Sequence, residues 1–459
     1  MYVITTNNEE VYHMNYTFPK NLYVDVRIEH HFSTNIKYTL KNLDECKTKE
    51  YSAAFIRLFD GNLWYYASTS DLNAIQDEID SLAALATAGP DLESLPIYKN
   101  FSTHVDEKLI FAEKKLSDVP LPDKIDCLKT LMPFVENNPY MKLWKLIYLD
   151  EYILKEFYNS KGADLKWDFQ RCGFALHMEL TEGEKKFSES FQFGKTYFHE
   201  LAGYEKELKE LIAESENFLL NSVAVTPGTY PIVVTPMVTG VFTHECFGHK
   251  SESDFMVGDE ATKKEWTLGK KIGPDDLSII DTGLLSGPGY TPYDDEGNPA
   301  TKTYLIKEGI LTGRLHSADS AADLTEEVTG NARAKNFEFE PLVRMTTTYI
   351  DNGTKSVEEI IGDVKDGIYV KGIHHGSGMS TFTLGPSLAY TIKDGKIDQP
   401  VRISVISGNV FEALNHIDSI ADDLEFKSFV TGGCGKMAQY PLSVGFAGPH
   451  IRIQNMQVQ

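Results

Sequence analysis

The chain has 459 residues with 67 acidic against 44 basic side chains, a formal charge of −23, so it is too long for one ordinary core and too acidic for nucleic acid or an anionic membrane as its main partner. Hydrophobic residues at 42% supply enough apolar surface to exclude disorder, and five scattered cysteines (Cys46, Cys127, Cys172, Cys246, Cys434) fit reduced thiols better than a disulfide framework. The opening MYVITTNNEE lacks the basic cluster and apolar run of a leader, and no stretch approaches about 18 uninterrupted apolar residues, so the expected location is the cytoplasm, with no membrane partner.

Along the chain, Tyr23–Glu29 (YVDVRIE) alternates as a strand, and Ala53–Phe59 (AAFIRLF) predicts a second, ended by the Asp60-Gly61 turn. Ser70 is placed to cap a helix on which Leu72, Ile75, Ile79 and Leu82 recur at helical spacing. Gly and Pro mark Ala88–Pro96 as a loop. Asp123–Tyr158 carries a helical pattern broken near Asn138-Pro139, Cys172–Leu180 and Lys186–Phe193 read as a hairpin about Glu182-Gly183, and Phe198–Leu220 as a long charged helix. From about Ser222 the texture turns to Gly, Thr and β-branched residues. Two hairpins there, Thr303–Gly313 and Ala389–Ile397, each turn at an acidic residue followed by Gly. The expected fold is α+β, with an N-terminal α/β domain over residues 1–221 and a mostly antiparallel β domain over 222–459.

The chemistry concentrates in Val238–Asp254, VTGVFTHECFGHKSESD. His244, Glu245 and His249 form a His-Glu-x-x-x-His pattern: two neutral imidazoles to hold an ion and a carboxylate to take a proton from water. At about 100° per residue, five residues rotate by about 500° and leave the histidines about 140° apart, so a regular α-helix does not aim both at one ion. Either a π-type bulge lies between them or the helix ends there, and Gly248 would ease the irregularity. On these positions alone, metal binding and two unrelated histidines both stand. Glu252, Asp254 and Cys246 are the local candidates for a third ligand.

The motif resembles that of the TldD/PmbA family, the modulators of DNA gyrase, which are metalloproteases. The likeness is to the TldD-like, motif-bearing subunit rather than to the PmbA-like (TldE) partner, which lacks the histidines. It extends through TPYDDEGNPATKTYLIKEGIL (Thr291–Leu311), LVRMTTTYID (Leu342–Asp351), HHGSGMSTFTLGPSLAY (His374–Tyr390) and GGCGKMAQYPLSVGFAGP (Gly432–Pro449), covering nearly all of residues 225–450. The first half matches through RLFDGNLWYYASTSDL (Arg57–Leu72), while the region from about 99 to 162 departs from the family pattern.

The resemblance implies a C-terminal cysteine ligand, which maps onto Cys434, joining His244 and His249 around zinc, with Glu245 as general base and then acid to the leaving amine. It implies substrates that are unfolded or extended polypeptides, and a dimer, either of this chain or with a PmbA-like (TldE) subunit. The Gly-rich strand Gly376–Leu384, with Gly376, Ser377 and Gly378 as its substrate-binding residues, suits strand addition by a peptide, because absent side chains leave the backbone approachable; the alternative is an ordinary internal strand with bends. Two other readings stand beside this one: a catalytically silent binding subunit, and a zinc amidase acting on small substrates. His374 and His375 read as local variation, Arg344 as a carboxylate-positioning group or a structural ion pair, and Asp294-Asp295-Glu296 as an acidic turn.

Overall fold

The computed structural model describes residues 16–87 and 89–459; the opening segment read for a leader, and Ala88 in the expected loop, lie outside the described residues. The fold is α+β. Among the described residues, seven strands form a first sheet: β1 (Tyr23–Thr39), β2 (Asn42–Phe59), β3 (Trp64–Thr69), β4 (Val105–Lys108), β5 (Met141–Asn159), β6 (Asp164–Glu182) and β7 (Lys185–Lys195). They run in the order β3-β2-β1-β5-β6, with short β4 parallel to the start of β6 and β7 antiparallel to its later half.

The first half departs from the sequence reading mainly at β5. Helix ends at Lys129, apart from one turn at Met132–Val135, and Met141–Asn159 is a 19-residue strand hydrogen-bonded to β1 and β6. Trp144, Leu146, Tyr148 and Tyr152 are buried on one face, but Leu143, Leu149 and Ile153 on the other are half-buried too. A strand apolar on both faces also fills helical spacings, which is why periodicity misassigned it. A second, smaller difference lies at Phe198–Leu220. The long helix starts at Glu205, after a single 3₁₀ turn at Phe198–Glu200 and Gly203 at φ +82. At the first helix the cap is Asp71, whose carboxylate accepts from the Asn73 amide, rather than Ser70.

Past Ser222, among the described residues, the chain builds two two-stranded sheets, Ala332–Arg333 with Leu342–Val343 and Cys434–Lys436 with Gln439–Leu442, and two larger ones. In the larger, the spatial order is Ile373–Gly378, Thr381–Pro386, Ile406–Asn409, Ile451–Val458, Gly228–Val234, Asp366–Val370, Ala389–Lys393, Lys396–Arg402 and Val223–Ala224. The other orders Ile310–Leu311, Lys302–Lys307, Ile279–Thr282, Thr347–Ile350, Gly445–Gly448 and Glu425–Lys427. Most neighbours are antiparallel. One apolar core joins both sheets through the helix Pro236–Phe242, from Ile232 and Phe382 on one side to Ile279 and Leu305 on the other. Both hairpin turns are formed, with Glu308-Gly309 and Asp394-Gly395 all at positive φ as a two-residue turn of this hand requires.

The acidic turn fastens the first sheet to this second part. Asp294 Oδ1 accepts from the amides of Glu296 and Asn298, while buried Asp295 and Glu296 take Lys155 of β5 at 2.5 Å and Arg57 of β2 at 2.9 Å.

Candidate metal centre

Every residue of Pro236–Phe242 except Met237 is buried, because the helix lies between two sheets. At Thr243 the winding changes: Thr243–Gly248 is a π-helix, and the His249 amide donates to the carbonyl of His244, five residues back. That bond adds one residue to the turn, so residues five apart stack as residues four apart do in an α-helix. The two imidazole rings consequently lie 5.0 Å apart, centroid to centroid.

Gly248 serves this turn by its lack of bulk. Its φ is an ordinary −56, but a Cβ there would fall 1.9 Å from Sδ of Met345, itself fully buried. Gly248→Ala should therefore overpack the core and destabilise the protein by about 1–3 kcal/mol. A thermal unfolding midpoint equal to the parent's would contradict this account of the residue.

Cys434 opens the short strand Cys434–Lys436, and its Sγ lies 3.6 Å from His249 Nε2. One donor atom each from His244, His249 and Cys434 falls within 4.8 Å of the others. Buried Arg344 donates from Nη2 to the Cys434 carbonyl at 2.9 Å, so it holds the Cys434 segment by a backbone oxygen. Upstream, the amides of Val430 and Thr431 donate to Oε1 of Gln192 on β7, at 2.8 and 3.0 Å.

The remaining local candidates are turned elsewhere. Glu252 Oε2 faces His249 Nδ1 at 3.3 Å and Lys436 Nζ at 3.1 Å. Lys436 also donates to both carboxylate oxygens of Asp254 at 2.7 Å. A carboxylate on Nδ1 orients the ring and leaves Nε2 facing the thiol. Cys246 packs in the apolar core, where burial pushes its thiol well up. Sequence reasoning missed Lys436, although it stands two residues past Cys434 on the same strand and so shares its face. Nothing local pointed to Gln192.

Protons follow this geometry. Burial pushes the Cys434 thiol up, but the two imidazoles outweigh it and bring the thiol well below its usual value. For His249, burial lowers the pKa while hydrogen bonds to Cys434 and Glu252 raise it further, to about 10. The centre thus favours a thiolate. Glu245, half-buried beside it, has its carboxyl raised by burial against the pull of His244 and His249.

A cleft of about 1080 Å³ opens over the centre. Val241, Glu245 and His249 form part of its floor, Lys145, His177 and Glu189 of the first sheet one wall, and Ile373, His374, His375 and Gly376 another. The strand Ile373–Gly378 is an edge strand, and its glycines allow close packing. A Cβ on Gly376 would come 2.9 Å from Glu245 Cγ, and one on Gly378 2.6 Å from the Glu245 carbonyl oxygen. Gly376 is on the cleft surface; Gly378 lies under the π-turn, and Ser377 is not among the lining residues. His374 and His375, read from sequence as local variation, are part of the cleft wall.

Residues 227–459 match the family model of the PmbA/TldA metallopeptidase C-terminal domain, and residues 24–88 that of PmbA/TldA metallopeptidase domain 1. The chain is 42% identical over 235 residues to the metalloprotease slr0863 of Synechocystis, a match spanning half of each chain. It is 27% identical over 458 residues to the zinc metalloprotease TldD homolog of Saccharolobus solfataricus, covering 95% of this chain and 96% of that one. TldE from Thermococcus kodakarensis shares the fold with a TM-score of 0.75 at 18% identity, over 95% of this chain and 96% of that one. With a matched domain occupying half its length and a motif-bearing turn at the centre of that domain, the chain belongs to the PmbA/TldD family of metallopeptidases.

Proposed function

We propose that this protein is a zinc peptidase that cleaves extended or unfolded polypeptides, with His244, His249 and Cys434 as metal ligands and Glu245 as the proton carrier. The observation that carries the reading is the convergence of two imidazoles and a thiol, from opposite ends of the C-terminal part, on the floor of a cleft lined by an edge strand. Donor chemistry and spacing both fit the ion. In a tetrahedral zinc site with bonds of about 2.3 Å to sulfur and about 2.1 Å to nitrogen, those two atoms sit about 3.6 Å apart; Sγ and Nε2 here are 3.6 Å apart. His244 Nδ1 is also buried without a hydrogen-bond partner among the described residues.

Bound there, zinc would supply Lewis acidity to a peptide carbonyl and to water. Glu245 takes the proton from the attacking water and returns it to the leaving amine, a role suited to a carboxyl whose pKa is raised. Glu252 and Lys436 hold His249 with Nε2 towards the thiolate. The substrate lies along Ile373–Gly378 by strand addition, main chain to main chain, which selects extended chains over folded ones.

We further infer that the chain divides at 221/222 and that the second part carries the chemistry, the first supplying a cleft wall. We also infer, from the family resemblance, a dimer of this chain or with a TldE-like subunit, and the His-Glu-x-x-x-His motif supports this chain as the active member. The test is cleavage of an unstructured polypeptide by zinc-loaded protein, alone and with its co-purifying partner, against small amides. Turnover of small amides alone would overturn the peptidase reading. Glu252→Gln should lower zinc affinity roughly 10–100-fold, measured by competition with a chelator; unchanged affinity would remove Glu252 from the ligand support.

A further inference from the structure

Apolar side chains line the cleft beside the metal centre, and the proposed chemistry gives them no task. Phe446 stands against the ligand set, its ring 4.9 Å from that of His244 and 4.8 Å from that of Phe429, centroid to centroid. Phe446 is 7% exposed, while Phe429, which packs on the core, is only half-buried. Val241 lies one turn before Glu245, and both reach the cleft beneath a strand that carries only a glycine at that point. A Cβ on Gly376 would stand 2.8 Å from Val241 Cγ1 and 2.9 Å from Glu245 Cγ.

Two other walls add to this patch. Ile373, at the start of the edge strand, is half-buried and lines the cleft. Ile147 of β5, also half-buried, lines it from the first sheet, in a row with Ala175 of β6 and Gln192 of β7. Gln192 holds the amides of Val430 and Thr431, which sets this row against the segment carrying Phe429. The neighbouring row on the cleft face is polar, Lys145 with His177 opposite it, and bounds the patch on that side. Apolar residues scattered singly over a surface are ordinary, but a cluster of them in a concave site beside reactive groups is what the apolar part of a ligand fills.

We propose that Val241, Phe446, Phe429, Ile147 and Ile373 form a subsite for one large apolar side chain, aromatic or branched aliphatic, on a residue flanking the bond that is cleaved. The proposal rests on the peptidase reading and gives it a sequence preference. A scissile carbonyl placed between the ligand set and Glu245 has its two flanking Cα atoms within about 3 Å of its oxygen. The side chain of either neighbour is therefore within reach of the Phe446 ring, which packs on His244.

The experiment compares kcat/KM of the zinc-loaded protein for otherwise identical fluorogenic peptides carrying Phe, Leu, Ala or Asp at successive positions, with the cut mapped by mass spectrometry. Filling an apolar pocket with a larger side chain is worth roughly tenfold or more. Phe or Leu should therefore exceed Ala by that factor at one position flanking the cut, and Asp should fall below Ala there. Phe429→Ala and Ile147→Ala, both at half-buried positions, should each reduce the ratio several-fold. Because the ratio compares two substrates on one protein, partial misfolding of a variant leaves it unchanged. A ratio near one at both flanking positions in the parent, or one that survives both substitutions, overturns the subsite. Fluorescence anisotropy of the same peptides on Glu245→Gln protein keeps the two failures apart. Phe-selective binding without cleavage by the parent overturns the peptidase reading alone, whereas cleavage without selectivity overturns the subsite alone.

Discussion

Glu245→Gln is expected to lower peptide cleavage by at least about 100-fold while the protein still takes up its full complement of zinc. The amide keeps the size and hydrogen-bonding span of the carboxylate but cannot accept a proton from water, and a lost general base costs on the order of 10²–10⁴ in rate. Its place is favourable for the role: next to a proposed ligand on the π-turn, on the cleft floor, with burial raising its carboxyl so that it can both take and return a proton. The diagnostic is the combination of activity and metal content. Cleavage at the parent rate would mean that the proton travels by another group, and loss of zinc would mean that Glu245 supports the ligands directly.

The second large effect concerns the thiol. Cys434→Ser should lose most zinc on dialysis against a chelator, because an uncharged hydroxyl replaces a thiolate that two imidazoles hold low. Cys246→Ser makes the same chemical change in the apolar core; it should cost stability through a buried hydroxyl and leave zinc content unchanged. In the parent, zinc affinity should fall as pH falls, because protons compete for the thiolate and for His249, whose proton is otherwise held up to about 10. Equal zinc retention by Cys434→Ser and the parent, or loss only in Cys246→Ser, would break the proposed ligand set.

Much of this was legible in the sequence, for reasons that differ by element. The five-residue spacing of His244 and His249 demanded an irregular helix, and the π-turn supplies it. The Glu308-Gly309 and Asp394-Gly395 turns were local signals and needed no tertiary information. The strand β5 was misread because its second face is also apolar: Leu143 and Ile147 line the cleft, a fact that belongs to the assembled molecule and not to periodicity. Asp254 and Glu252 looked like ligands because proximity in sequence says nothing about Lys436, which arrives 182 residues after Asp254 to neutralise both. Gly248 was read correctly as the permissive residue, but the need is space beside Met345 rather than an unusual dihedral.

Chain order gives the fold a timetable. The strand Ile451–Val458 sits inside the larger sheet, hydrogen-bonded to Gly228–Val234 on one side and Ile406–Asn409 on the other, although it follows every other strand of that sheet in sequence. A chain emerging from the ribosome presents His244 and His249 long before this strand exists, and domains settle as units once their last element is available. The cysteine-bearing loop, which also leans on Gln192 from the first half, can take its place only after the sheet behind it closes. The two histidines and the thiol, 185 residues apart at their nearest, therefore come together only once the last strand of the larger sheet is in place.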